Sequence, residues 1–499
     1  MIRILSVENM RKSDARTIAG GVSGRELMAR AGRGVFEAAE WKPPVAIVCG
    51  SGNNAGDGYV LARHLKDAGT SCELLLLSDR FSEDGAWYYG LCREAGIPVR
   101  RWEPGMSLRG YGTVADCIFG TGFRGTAEGA AREAIEAVNR SGAYVVSVDI
   151  NSGLNGDSGM ADVCVRSDLT VSIGGYQPGH FLNMAKDVIG KKVNLDIGIE
   201  PAERTAFLPE EEDLLPLFRP RKNFTHKGTY GYTALIGGSR RYSGAIRLAA
   251  LAGAAVRAGA GVVKTAFPEE IYHETAPALL ESTAFPLKSA GGEVCFEEGE
   301  IAELTANVRT AAFGMGIGVS DGAAGILSWL LGHFPGTLIV DADGLTLLSR
   351  MERERIRGAA GTLILTPHLK EFSRLTGLET EAILRRPVEA AEAYARETGA
   401  ILLLKGPATI ITDGSRTYLT DTGCAGMAAA GSGDVLSGIL AAVTGWAPDP
   451  VFGAAAAAWV NGRAGEEAQR RFGSISMTSG DTAGCVRDVV RALEARAAG

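Results

Sequence analysis

Ala428-Ala429-Ala430-Gly431-Ser432-Gly433-Asp434-Val435-Leu436 runs small residues into a Gly-Ser-Gly turn, adds an acid and begins an apolar helix at once. Glycines let the backbone turn sharply, and the N–H groups of the next helix then point outward as an anion site. A carboxylate beside bound phosphate is repelled unless the chemistry uses it. The use that fits is as a base, taking the proton of a hydroxyl as that hydroxyl meets phosphorus. The same residues also suit a plain Gly-rich helix start whose first-turn acid faces the helix dipole favourably. The chain holds 67 glycines. They cluster at strand-to-helix turns, which points to α/β folds with phosphate loops.

At 499 residues the chain is too long for one ordinary core, so two or more domains are expected. With 46% apolar and 22% charged residues it has the composition of a globular protein, and its net charge of −7 argues against a nucleic-acid or anionic-membrane surface. The eight cysteines are scattered with no Cys-x-x-Cys pair, as free thiols in a reducing cytoplasm would be. Only six histidines are present, none at ligand spacing to a cysteine, so no structural zinc site is expected. The opening Met1-Ile2-Arg3-Ile4-Leu5-Ser6 lacks the apolar core of a signal peptide. The longest apolar stretch, residues 245–263, is broken by Arg247 and Arg257, so no membrane span is expected.

In the N-terminal half, Val45-Ala46-Ile47-Val48-Cys49 reads as a buried parallel strand. The glycine loop Gly50-Ser51-Gly52-Asn53-Asn54-Ala55-Gly56-Asp57-Gly58 follows, then a helix from about residue 59 to 68. Further strand-like runs at 72–77, 116–119, 143–148 and 169–173 alternate with helical stretches, which predicts a doubly wound parallel sheet. Ligands in such sheets sit at the carboxyl ends of the strands, where residues 53–57, 120–126 and 149–153 fall. A glycine pattern alone is compatible with an ordinary dinucleotide site, with Asp79 as its ribose acid. Two amides and an acid in Asn53-Asn54-x-Gly56-Asp57 suit instead oxygen ligands for a hard cation, or hydrogen bonds to a polar ring. Asp116 and Asp149 each read as ending a strand and facing the same cleft; each could also be a simple strand-end cap.

These motifs, with Gly120-Thr121-Gly122-Phe123-Arg124-Gly125 and Val148-Asp149-x-x-Ser152-Gly153-Leu154-x-Gly156-Asp157, resemble the NAD(P)H-hydrate epimerase family. Met10-Arg11 and Glu26-Leu27-Met28-x-Arg30-Ala31-Gly32 fit that family's N-terminal helices, and the similarity covers about residues 1–210. The resemblance implies a Rossmann-like domain over residues 1–213. It implies that the hydrated nucleotide is held by Asn53, Asn54, Ala55, Gly56 and Asp57 with Gly120, Thr121, Gly122, Phe123, Arg124, Gly125 and Thr126. It makes Asp149 the acid–base residue and Asn54, Asp116 and Ser152 the ligands of a potassium ion. Asn151 stands where the family usually has proline.

Residues 214–222, charged and proline-containing, read as a linker. Beyond it, apolar strands end repeatedly in polar residues: Val340-Asp341-Ala342-Asp343, Leu365-Thr366-Pro367-His368 and Leu404-Lys405-Gly406-Pro407-Ala408-Thr409. Lys405 suits a phosphate contact or a solvated strand end, and Asp341 and Asp343 suit a site or a mere strand terminus. In order, His226-Lys227-Gly228-x-x-Gly231, Gly314-x-Gly316-x-Gly318, these three strand ends and Gly431-Ser432-Gly433-Asp434 resemble the ADP-dependent NAD(P)H-hydrate dehydratases. The resemblance implies a ribokinase-like α/β domain over residues 223–499, with Lys405, Gly406, Pro407, Ala408, Thr409 and Gly433 on the adenine nucleotide. It places Ala254, Gly316, His368 and Asp434 around the hydrated nicotinamide, with Asp434 catalytic and magnesium accompanying ADP. Met315, Leu369-Lys370, Cys424-Ala425 and Ala430 depart from the family's usual Pro, Pro-Gly, Asn-Pro and Gly.

The chemistry then expected is repair of hydrated nicotinamide cofactors. Hydroxide leaves the hydrated ring poorly, whereas phosphate leaves easily, so phosphoryl transfer to the hydroxyl makes the elimination possible. ADP would yield AMP and phosphate, with the Gly431-Ser432-Gly433 amides stabilising the transferring group. One epimer, the S form, would be dehydrated, and the N-terminal half would interconvert R and S. The expected partners are NADH hydrate, NADPH hydrate and ADP, with no nucleic acid and no membrane, in a cytoplasmic homo-oligomer. A ribokinase-type small-molecule kinase fused to a dinucleotide-binding domain is the alternative. It shares Gly-Ser-Gly-Asp, leaves residues 53–57 unexplained and would release a phosphorylated product. A non-catalytic dinucleotide-binding module would need no Asp434.

Overall fold

A computed structural model describes residues 1–251 and 257–498. Ala254, expected near the nicotinamide, lies outside the described residues. The chain forms two compact units: one is Arg3–Ala206, and the other is Phe207–Gly499 together with Met1–Ile2.

In the N-terminal unit the central strand Val45–Cys49 is buried along its whole length, as is Thr113–Cys117. Such apolar runs bury both faces of a strand and suit an all-parallel sheet covered on each side. Seven parallel strands lie in the order Val99–Arg101, Cys72–Leu76, Val45–Cys49, Thr113–Cys117, Tyr144–Val148, Ser167–Ile173, Ile189–Leu195. The chain works outward from Val45–Cys49 in one direction, then returns beside it and works outward in the other. The strand order therefore reverses between Val45–Cys49 and Thr113–Cys117, the crevice where doubly wound sheets take ligands.

Residues 53–57 do not form a loop. Asn and Gly are poor helix formers, yet the helix runs Asn53–Asp67, and its N-cap, Gly52, offers no side-chain cap. The uncapped first turn opens at the switch point. By contrast Ser6 and Ser23 cap the helices Val7–Ala19 and Gly24–Ala38, accepting from Asn9 N and Glu26 N.

The C-terminal unit is built on a longer sheet. Strands Thr283–Leu287, Val262–Pro268, Tyr232–Ile236, Thr310–Phe313, Thr337–Val340, Thr362–Leu365 and Ile401–Leu404 are parallel neighbours in that order. Antiparallel Thr409–Thr412 and Thr417–Thr420 follow, then Ala206–Leu208. The helices Ser432–Trp446 and Pro450–Phe472 are largely buried, carrying alanine and glycine runs that permit close packing.

The boundary differs from the expected 213/214. Phe207 already pairs with Tyr418 of the C-terminal sheet. Residues 214–222 are not a free linker: Glu211–Leu214 is a helical turn, Leu214 and Phe218 are buried in the C-terminal core, and Phe218 packs edge-on against Trp446 at 5.3 Å. Two large apolar residues among charges and prolines are enough to anchor the segment. Six of the eight cysteines are buried free thiols. Among the described residues no helix is long and apolar enough to cross a membrane.

Candidate active sites

The N-terminal switch point opens into a cleft of about 530 Å³. One wall is the helix Val7–Ala19, which contributes Val7, Met10, Arg11, Asp14 and Ile18 at helical spacing. The other is formed by the start of the helix Asn53–Asp67, with Asn53, Asn54 and Asp57, and by strand ends and their turns, with Phe119, Gly120, Thr121 and Asp149.

Asp149 follows the strand Tyr144–Val148 with φ +67, a left-handed conformation that costs a non-glycine residue energy. Three contacts hold it there. Its N–H donates to Val171 O (2.8 Å), its carbonyl accepts from His180 Nε2 (2.8 Å), and its Oδ2 accepts from Thr121 N (2.8 Å). His180 is buried, and its Nδ1 accepts from Gln177 N, so the proton sits on Nε2. Burial holds the imidazole down at about 4, so it stays neutral. Gly120 is required where it stands, because a Cβ there would lie 2.7 Å from Asp149 Oδ2. Burial raises Asp149 above the usual carboxylate range against the lowering effect of the Thr121 donor. Asp57 is raised well above it, first by burial and then by the charges of Asp149 and Asp14.

Beneath the cleft lies a fully buried carboxylate, Asp116. It accepts from Ser152 Oγ (2.5 Å), Ser152 N (2.9 Å), Ser147 Oγ (2.8 Å) and Ile118 N (3.3 Å). Burial outweighs these donors and raises its pKa. Asn54 is 6% exposed; its Nδ2 donates to Phe119 O (2.8 Å), while its buried Oδ1 has no hydrogen-bond partner among the described residues. A buried acceptor left open costs free energy unless something completes it. Asn54 Oδ1 is thus a hard oxygen donor left open; Asn54 and Ser152 both bond Phe119 O, and Ser152 bonds Asp116, so these three oxygen-bearing side chains fit a potassium ion.

In the C-terminal unit Gly431, with φ +92, turns the chain into the helix Ser432–Trp446 without a side-chain cap. Asp434 lies half-buried in its first turn, pushed up to about 7 by burial and then by the charge of Asp341, against the lowering effect of Lys405. Across from this turn is an ion pair between partly buried Lys405 and buried Asp341. Lys405 Nζ donates to Asp341 Oδ1 (2.9 Å), which also accepts from Thr366 Oγ1 (2.8 Å), and Ser437 Oγ donates to Asp341 Oδ2 (2.9 Å). Burial alone would raise Asp341 and lower Lys405; the pair reverses both, keeping both charged. Gly433 lies against it: a Cβ there would sit 3.3 Å from Asp341 Oδ2 and 3.4 Å from Lys405 Nζ. Ala342 carries φ +50 between Asp341 and Asp343, and Asp343 Oδ2 accepts from Gly318 N (2.9 Å). An ammonium, a helix N-terminus and a carboxyl ready to take a proton thus converge at one turn.

The family described as NAD(P)H-hydrate dehydratase matches residues 233–485, and the YjeF-related protein N-terminus matches residues 24–179. The Bifunctional NAD(P)H-hydrate repair enzyme Nnr of Moorella thermoacetica is 34% identical over 474 residues, covering 90% of this chain and 88% of its own. Its counterpart in Methanothermobacter thermautotrophicus is 35% identical over 492 residues, covering 94% and 92%. The chain belongs to the bifunctional NAD(P)H-hydrate repair enzymes. The N-terminal unit is the epimerase and the C-terminal unit the dehydratase. An ADP/ATP-dependent NAD(P)H-hydrate dehydratase from Bacillus subtilis, co-crystallised with ATP and Mg²⁺, superposes with a TM-score of 0.51 at 25% identity. It covers 58% of this chain and 99% of its own. A ribokinase-like superfamily protein from Enterococcus faecalis, with a TM-score of 0.50 at 21% identity and 58% and 96% coverage, shares the fold.

Within this repair enzyme the epimerase cleft gathers Asn53, Asn54, Asp57, Gly120, Thr121, Gly122, Phe123 and Asp149. Ala55, Gly56, Arg124, Gly125 and Thr126 do not line it: Ala55 and Gly56 are buried in the helix, where a Cβ on Gly56 would collide with Met28. In the dehydratase unit the backbone of Lys405 bonds to Pro367 O (2.9 Å), which sets Lys405 beside His368. The His368 Nδ1 accepts from Lys370 N and Glu371 N and caps the helix Leu369–Thr376, so its ring is committed to the backbone at that nitrogen. Gly406 and Pro407 are exposed, Ala408 is buried and Thr409 opens an antiparallel strand. Gly316 takes φ +65 against Tyr242 and Ala245. Sequence reasoning missed His180 and Asp14 in the epimerase and Ser437 in the dehydratase; it quoted Arg11 and Thr366 only within motifs and left Asp341 undecided. The partners of His180, Thr366 and Ser437 lie far away in the chain. Asn151, in place of proline, is fully buried. Its Nδ2 donates to Val165 O, Ser167 Oγ and Val188 O, while its Oδ1 accepts from Thr170 and Ser167. The amide pins the turn by hydrogen bonds where a ring would pin φ.

Proposed function

We propose that the epimerase unit interconverts the R and S hydrates of NADH and NADPH. The dehydratase unit then returns the S hydrate to the intact cofactor while ADP becomes AMP and phosphate. The observation that carries the second half is the position of Asp434, a carboxyl near 7 in an uncapped helix turn beside the Lys405–Asp341 pair. A base works best with a pKa near the working pH. Asp434 takes the hydroxyl proton as phosphorus approaches. The amides of the Gly431-Ser432-Gly433 turn and the Lys405 ammonium face the negative charge of the transferring phosphoryl group. Phosphate then leaves the ring in the elimination.

ADP is assigned to Lys405, Gly406, Pro407, Ala408, Thr409 and Gly433, and the hydrated ring to Gly316, His368 and Asp434. Ala254 completes that assignment from the sequence alone. Magnesium enters with the nucleotide.

In the epimerase, Asp149 moves the proton, and Asn53, Asn54, Asp57, Gly120, Thr121, Gly122 and Phe123 hold the nucleotide. Asn54, Asp116 and Ser152 would hold potassium, whose charge would offset the buried Asp116 and steady the turns around it. A cytoplasmic location and a homo-oligomeric state belong to the same proposal. The test is product analysis of pure S hydrate with ADP, or ATP, and Mg²⁺. One AMP and one phosphate per NADH recovered with ADP is expected; a stable phosphorylated alcohol without NADH would favour the small-molecule kinase.

A further inference from the structure

Hydration of a dihydronicotinamide adds water across an enamine, so the hydroxyl lands on the carbon beside the ring nitrogen. Epimerising that carbon moves the hydroxyl from one face of the ring to the other. Proton transfer is therefore needed on both faces, and one aspartate reaches only one of them.

The cleft offers a second carboxyl on its other wall. Asp14 is half-buried on the face of the helix Val7–Ala19 that lines the cleft, whereas Asp149 stands on the strand-end wall. Asp14 makes no hydrogen bond and no ion pair with any described side chain, although Arg11 and Lys12 on the same helix are engaged by Glu8 and Glu203. A half-buried carboxyl without a structural partner is poorly explained by stability, since burial without a partner costs free energy. Asp57 also lines the cleft, and it feels the charge of both Asp14 and Asp149.

We propose that Asp14 is the second acid–base residue of the epimerase, serving the ring face opposite Asp149. This rests on the epimerase reading of the cleft and deepens it. Asp149 takes the hydroxyl proton of one epimer. The carbon–nitrogen bond breaks, its electron pair passes to the ring nitrogen, which is conjugated with the carboxamide, and the carbon becomes a carbonyl. Rotation about the adjacent carbon–carbon bond presents the carbonyl's other face. The nitrogen adds back, and the oxygen takes its proton from Asp14. The reverse epimerisation uses the two groups in exchanged roles. The proton gained by Asp149 returns to Asp14 by way of Asp57 or solvent, so no atom or electron is lost.

The experiment follows the approach to equilibrium from a single epimer by NMR, using the full chain without nucleotide so that no dehydration competes. Asp14→Asn should lower kcat about 100-fold or more, as loss of a positioned acid–base group does, with KM within about threefold and an unchanged melting temperature. Asp14→Glu, which keeps the carboxyl, should recover part of the loss. It also carries the test if the asparagine variant does not fold, since a Glu variant no faster than Asp14→Ala would refute the role. Asp14→Asn with kcat within threefold of wild type, or with a change confined to KM, would overturn the proposal. A wild-type chain that does not accelerate equilibration would overturn the epimerase reading beneath it, and that result is distinguishable because it appears before any substitution.

Discussion

Asp149 and Asp434 occupy complementary ends of the α/β unit: one closes a strand, the other opens a helix. Both carboxyls are raised, yet they are held in different ways. Asp149 is fixed by its backbone, bonded through both peptide groups and strained at φ +67, with His180 locking the carbonyl. Asp434 is set by burial and by charge, next to an ion pair whose members follow two strands on either side of Thr362–Leu365. The difference follows from the chemistry. Moving a proton on a neutral ring demands aim, which strained and over-determined backbone supplies. Transferring a phosphoryl group demands a field, which a helix terminus and a fixed ammonium supply.

The largest effect that tests this contrast is on Asp434. Asp434→Asn should lower dehydration roughly 10²–10⁴-fold, the usual span for a lost general base, and leave epimerisation intact when both are measured on one sample. Loss of both would break the separation of sites. Next is the ion pair. Lys405→Met leaves Asp341 charged, buried and unpaired, which costs roughly 3–5 kcal/mol. Denaturant melts should show the loss in the C-terminal unit, while the epimerase keeps its rate.

The parallel strands were legible because each is a continuous apolar run, and Gly431-Ser432-Gly433-Asp434 because glycine, acid and helix adjoin in sequence. The supports of the two acids were not. His180 acts on a carbonyl 31 residues away, and Lys405 meets Asp341 across 64 residues, so no local pattern records either. Residues 53–57 were misread as a loop because tertiary packing overrides the poor helix propensity of Asn and Gly. The boundary moved because Leu214 and Phe218 carry their segment into the core despite its polar composition.

Smaller effects sharpen the backbone half of the contrast. His180→Ala removes the donor to the Asp149 carbonyl, which is worth about 1–3 kcal/mol. It should lower epimerase kcat roughly tenfold to a hundredfold with KM little changed and dehydration unaffected. Asn151→Ala leaves Thr170, Ser167 and two carbonyls short of partners, and should cost about 2 kcal/mol of N-terminal stability by denaturant titration. The smallest effect is on pH. A base must be ionised, and Asp434 sits at about 7. Dehydratase kcat/KM should therefore fall on the acid side, roughly tenfold between pH 8 and pH 6, and Asp434→Glu should shift that limb rather than abolish it.

The central claim, two independent acids serving one repair, is tested most directly by incubating an equilibrium mixture of R and S NADH hydrate with ADP and Mg²⁺. The near-ultraviolet absorbance of restored NADH is read, with spontaneous epimerisation subtracted. The account predicts complete recovery for the wild type, recovery that stalls at the S fraction for Asp149→Asn, and none for Asp434→Asn. Complete recovery by Asp149→Asn at the wild-type rate, or no recovery by the wild type with either ADP or ATP, would contradict it.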